Sequence, residues 1–599
     1  MKKAWLGILM LPFLMSCAES RQELQARVDQ YLKDYTAKYK DLAYAVSQAE
    51  WALNTKIVAG DSTNAIASRK AKQALAEFSG STENIEKARA FLEQSAVLTA
   101  LQMKQLNKIL YLAADNPQTV PELVKERIAA ETAQTEKLFG FDFKIDGKPV
   151  SANQIDEILK SSDKLEERLK AWQASKEVGS TLKEGLENLQ RLRNQTVQAL
   201  NYPDYFSYQV SDYNMSTDEM MALMAQLNRE LRPLYRELHT YARYTLAEKY
   251  NQPVPAELPA HWLPNRWGQD WSTMVNVEGF DLDGVLKSKS PEWIVEQAER
   301  FYVSLGFDSL PPVFWEKSSL YPLPPGAGYK KNNHASAWHM DLENDLRSLM
   351  SVEPNTEWYE TTHHELGHIY YYMSYTNDEV PPLLREGANR AYHEAVGSLL
   401  GLASMQKPFV EAIGLMPASN GKTDDMQTLL KEALNYIVFI PFSAGTMSQF
   451  EYELYAKNLP QEQYNARWWE IVQKYQGLVP PEPRGEQYCD AATKTHINDD
   501  AAQYYDYALS YILLYQLHDH IATKILQQDP HATNYYGNAE AGNFLREILR
   551  PGSSRDWREL LREKTGEGLS AKAMLRYFAP LTEYLKTVNA GREHTLPEI

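Results

Sequence analysis

Cysteine is almost missing from this chain: Cys17 and Cys489 are the only two in 599 residues. That excludes a disulfide framework and any zinc or iron–sulfur site built from clustered thiolates. A metal held here must take histidine and carboxylate. Grouped cations are missing too. The formal charge is -17, and no run rich in lysine or arginine exceeds a few residues, which argues against nucleic acid as a partner, because neutralising a phosphate backbone takes clustered positive charge. Glycine is sparse, at 28 residues, and no long Gly/Ser linker divides the chain. At about 150 residues per domain the length suggests four domains, but without linkers one large helical unit is the better expectation.

The N-terminus reads as an address. Lys2 and Lys3 precede an apolar stretch from Ala4 to Met15, too short to span a bilayer as a stable helix and shaped like an export signal. Leu14-Met15-Ser16-Cys17 resembles a bacterial lipobox, so residues 1–16 are expected to be cleaved and Cys17 acylated. Such a protein would sit at the cell envelope, lipid-anchored to a membrane surface or in the periplasm, and touch the membrane through its lipid alone. Beyond the signal, helical spacing dominates. It runs through Ala88–Leu112, Met220–Lys249, Ile294–Leu305, Thr428–Ala456 and Tyr504–Leu526, and proline-rich passages at 310–328 and 479–484 interrupt it.

The strongest chemical signal is His364-Glu365-Leu366-Gly367-His368. Two histidines four apart lie on one face of a helix and can share one Zn²⁺, with Glu365 placed to take a proton from water that the metal activates. Asn355 or Thr356 can cap that helix, and Asn377-Asp378 ends it. A catalytic zinc needs a third ligand. Asn389 is a good cap for a second helix carrying His393 and Glu394, and Glu394 is the candidate ligand. His393 competes with it. Neighbours on a helix point about 100° apart, so only one of them faces the metal, and spacing alone does not choose.

His364-Glu365-Leu366-Gly367-His368 followed by Arg385-Glu386-Gly387-Ala388-Asn389 and His393-Glu394-Ala395-Val396-Gly397 closely resembles the angiotensin-converting enzyme family of zinc peptidyl-dipeptidases. The likeness begins at Ala49-Glu50-Trp51-Ala52-Leu53-Asn54-Thr55, includes Trp267-Gly268-Gln269-Asp270-Trp271 and Trp468-Trp469, and covers nearly the whole chain after the signal. It implies an all-α, two-lobed metallopeptidase with a deep central groove, a minimal β element near His334–Met340, and a single catalytic domain over 17–599. By the resemblance one Zn²⁺ is held by His364, His368 and Glu394, and Glu365 is the general base and later acid. His496 and Tyr507 stabilise the oxyanion, His334 and the Ala335 main chain hold peptide backbone, and Gln269, Lys494 and Tyr504 hold the free C-terminal carboxylate of an oligopeptide. The two tyrosines fall into register only with a one-residue insertion near Asn498-Asp499-Asp500.

The chain departs from the family pattern at three positions. Ser398 replaces an aspartate that orients a zinc-bound histidine, and Val472 and Asp506 replace two arginines that bind chloride, so chloride activation is not expected although Tyr241 is retained. Two rival functions remain at this level: a related helical oligopeptidase or carboxypeptidase with another cleavage register, and a catalytically silent peptide-binding lipoprotein.

Overall fold

The structure, a computed structural model, describes residues 20–277, 282–416 and 425–599. Signal and lipobox, Cys17 included, lie outside them. The fold is all-helical, and many of its helices begin where the sequence supplies a cap. Ser20 and Glu23 form a reciprocal capping box at the start of Arg21–Thr55, as do Ser216 and Glu219 at Thr217–Lys249. Burial then follows helical spacing. In Leu165–Gln198, for example, Ala171, Val178, Leu182, Leu186 and Leu189 turn inward. One continuous buried cluster takes in residues from Ile85 to Leu596, and two smaller ones lie beside it.

Three of the expected helical stretches depart from a single α-helix, Tyr504–Leu526 by closing in a π-helical turn at Ile521–Leu526. Ala88–Leu112 divides into Thr82–Leu92 and Ala100–Asp115, because Thr99 caps a new helix with Gln102 in a capping box. Thr428–Ala456 keeps its course but passes through a π-helical turn at Pro441–Met447 between Asp425–Ile440 and Ser448–Ala456. Pro441 has no N–H to give to the preceding turn, and widening the helix there accommodates the loss.

Strand is confined to three two-stranded pairs among the described residues. Ser336–His339 pairs antiparallel with Leu346–Leu349, in the register Ser336 to Leu349 and His339 to Leu346, inside the expected segment. The Tyr372 hydroxyl donates to the Ala337 carbonyl at 3.2 Å, tying this strand to the helix Thr356–Tyr375 that carries the two candidate histidines. That helix lies against Arg390–Ser404, which in turn lies against Tyr505–His520.

Candidate metal centre and substrate groove

The histidine helix starts where Asn355 accepts from the Trp358 N–H at 2.8 Å, and the next begins at Asn389, which accepts from Tyr392 at 2.9 Å. Both starts place the ligand residues on facing surfaces, and glycines let those surfaces meet. A Cβ on Gly367 would lie 2.9 Å from the Gly397 Cα, and a Cβ on Gly397 would lie 2.9 Å from the His364 ring. No residue larger than glycine fits at either place without displacing backbone or a ligand.

In this contact, one donor atom each from His364, His368 and Glu394 lies within 4.8 Å of the others. The Nε2 atoms of His364 and His368 are 3.2 Å apart, and His364 Nε2 is 3.9 Å from a Glu394 oxygen. Two imidazole nitrogens on a tetrahedral zinc at about 2.0–2.1 Å stand roughly 3.3 Å apart, so the pair fits a shared Zn²⁺. Burial depresses the pKa of both rings, His364 to about 4. Both are therefore neutral at pH 7, the state in which an imidazole nitrogen has a lone pair to offer a metal.

The competing candidate, His393, does not join this set. Its Nδ1 is 3.1 Å from the Nδ1 of His368, on the side of that ring away from the ligand atoms. With Nε2 of His368 free for metal, Nδ1 carries the proton and donates it to His393, which fixes the ring's orientation. Glu394 and His393, adjacent on their helix, thus serve the same centre from two directions. Ser398 lines the cavity beside them.

Glu365 is buried, one of its oxygens has no hydrogen-bond partner, and burial followed by the Glu394 charge pushes its carboxyl up to about 8. A cation at the three ligands would pull that value down again. The ligands and Glu365 line a cavity of about 800 Å³ whose wall includes His334, Ala335 and Tyr507. His334 is exposed and Ala335 half-buried, just before the Ser336–His339 strand.

A second group continues from the first. Tyr507 and His496 meet through hydroxyl and Nε2 at 3.3 Å. The Tyr504 ring lies 4.9 Å from both the Tyr507 and His496 rings. Lys494 donates to Gln269 at 2.8 Å and sits 5.1 Å from the Tyr504 ring and 4.3 Å from that of Trp267. It is 4% exposed, and burial with the neighbouring Arg266 and Lys176 lowers its pKa to about 7. Gln269, Lys494 and Tyr504 therefore form one cluster beside His496 and Tyr507, and Tyr507 also lines the cavity of the metal ligands. The gapped register is the one that brings both tyrosines here. Ungapped, Asp506 would hold the place of Tyr507, yet its side chain is buried away from the cavity.

Sequence reasoning missed several neighbours. Glu360 and Tyr436 line the cavity, and Arg390, Asp500 and Tyr213 surround Asp506 behind Tyr507. Glu360, one helical turn before His364, was within reach of the spacing argument. The others come from distant segments and carry no local signal.

Fold and site define a helical protein with a His-His-Glu metal centre of metallopeptidase type on the wall of a groove. The chain belongs to the angiotensin-converting enzyme family, whose sequence model matches residues 21–596. It is 34% identical over 458 residues to angiotensin-converting enzyme-like protein Ace3 of Mus musculus, a match covering 74% of this chain and 61% of that protein. It is 32% identical to the angiotensin-converting enzymes of Mesocricetus auratus and Bos taurus, over 458 and 452 residues. These matches span only 34% of either relative.

Proposed function

We propose that the protein is a zinc-dependent peptidyl-dipeptidase that releases dipeptides from the free C-terminus of oligopeptides. The observation that carries this reading is that Tyr507 lines the cavity of His364, His368 and Glu394 and also meets His496 and Tyr504, which lie beside Lys494 and Gln269. Zinc held by the three ligands would supply a Lewis acid that activates water and polarises the scissile carbonyl. Glu365 takes the proton of the attacking water and returns it to the leaving amine. Tyr507 and His496 offer donors to the oxygen on which negative charge develops. Lys494 with Gln269 and Tyr504 holds the terminal carboxylate, and fixing the chain end selects which bond reaches Glu365. His334 and the main chain at Ala335 hold the peptide extended along the wall.

Incubating zinc-loaded protein with a free-ended hexapeptide and weighing the products tests this. Dipeptides taken successively from the C-terminus are expected. Single amino acids or internal fragments point instead to the carboxypeptidase or oligopeptidase reading. Glu365→Gln should lower kcat by about 10²–10⁴-fold and leave bound zinc unchanged; no turnover by the wild type would leave the silent peptide binder. We further propose cell-envelope localisation through acylation at Cys17, which predicts that Cys17→Ser moves the protein from the membrane pellet to the soluble fraction, the remaining sequence being unchanged.

A further inference from the structure

Arg390 is the first residue of the helix that carries Glu394. A cation there opposes the helix dipole, so its placement calls for a tertiary reason. The guanidinium makes a two-point contact with Asp500, at 2.9 and 2.8 Å. Asp500 closes the helix Thr495–Asp499, which carries His496, and an acid at a helix C-terminus opposes the dipole as well. The Arg390 Nε lies 3.5 Å from Asp506, in the first turn of the helix that carries Tyr507.

Asp506 is 1% exposed, and the hydroxyl of the buried Tyr213 donates to one of its oxygens. The other oxygen has no hydrogen-bond partner, which leaves Arg390 to compensate it. The Tyr213 hydroxyl also accepts from the Ala391 N–H at 3.2 Å, and the Arg390 guanidinium lies 5.9 Å from the Tyr507 ring centre. Three helices thus converge on one side chain, and each carries a group of the reaction site: Glu394, His496 and Tyr507.

We propose that Arg390 is a positioning residue, clamped by Asp500 and Asp506, that holds Tyr507 and His496 in the orientation that receives the oxyanion. The inference rests on the reading of that pair as oxyanion donors. It separates from a plain stabilising ion pair because a clamp acts on the tetrahedral state more than on bound peptide.

The test uses zinc-loaded full-length protein, with calorimetry of two ligands: a phosphinic tripeptide analogue, which imitates the tetrahedral state, and a plain dipeptide. Arg390→Gln should weaken the analogue ten- to hundredfold, change the dipeptide and zinc affinities less than threefold, and lower kcat in parallel with the analogue while KM stays within threefold. Arg390→Lys, which keeps the charge and loses the two-point contact, and Asp506→Asn should each show a smaller loss of the same kind, and they stand in if the glutamine variant fails to fold. Equal weakening of both ligands, or no change in the analogue across the three variants, overturns the clamp. Selective loss of the analogue by a protein that releases no dipeptides would support the clamp and overturn the dipeptidase reading instead.

Discussion

Lys494 is a cation held in an aromatic shell, with Trp267 at 4.3 Å, Tyr504 at 5.1 Å and Phe442 at 5.4 Å from its ammonium. Its pKa falls to about 7 because burial disfavours the charged form and Arg266 and Lys176 repel it. The sign for binding follows. Below about pH 7 the ammonium is charged and attracts a carboxylate; above it the free enzyme must first gain a proton. KM for a free-ended peptide is therefore expected to rise above pH 7, by up to about tenfold per unit, while a C-terminally amidated peptide shows no such limb. A flat KM for the free-ended peptide up to pH 9 would refute the anchor. For stability the sign is opposite to that for binding. The unfolded lysine holds its proton up to the ordinary lysine value of 10.5, so this group raises folding stability as pH climbs from about 7 toward 10.5. At this scale much was legible. The metal ligands and Glu365 are announced by spacing that fits one helix face, whereas the role of His393 as partner of His368 depends on how two helices cross, which no single-segment pattern carries.

Between elements, the metal centre depends on the close approach of Thr356–Tyr375 and Arg390–Ser404 at Gly367 and Gly397. Gly397→Ala would put a methyl group 2.9–3.0 Å from three atoms of the His364 ring. Either the ring rotates off its ligand position or the helices part. Overpacking of this kind costs about 1–3 kcal/mol, and a displaced ligand should lower zinc affinity by roughly tenfold or more. Competition against a chelator and denaturant unfolding would measure both, and an unchanged zinc affinity would show that the contact yields freely. The caps at Asn355 and Asn389 could be read beforehand, since short polar side chains at helix starts have a local cause. The π-helical turn at Pro441–Met447 could not. Its use is tertiary: it brings Phe442 toward Lys494 and lets the Ser443 hydroxyl donate to the Tyr504 carbonyl at 2.7 Å. Apolar residues continue through it, so the sequence pattern reads as one long helix.

For the whole molecule, the question is how a chain with a formal charge of -17 treats a small anion. Relatives by resemblance carry arginines where this chain has Val472 and Asp506, and here both positions are buried, at 4% and 1% exposure. An anion seeking the first position meets an apolar side chain, which offers nothing in exchange for lost hydration. At the second it meets a carboxylate that already engages Arg390 and the Tyr213 hydroxyl. Burial pushes that carboxyl up to about 7 against the pull of Arg390, so near neutral pH the position holds its own negative charge in part, and a second one beside it would be repelled. Peptide turnover is therefore expected to change less than about twofold when chloride replaces a bulky organic anion at constant ionic strength, a control that keeps general screening fixed. A rise of several-fold that saturates with chloride would overturn this reading, and loss of that rise on replacing Tyr213, whose hydroxyl meets Asp506, would place the anion at the second position.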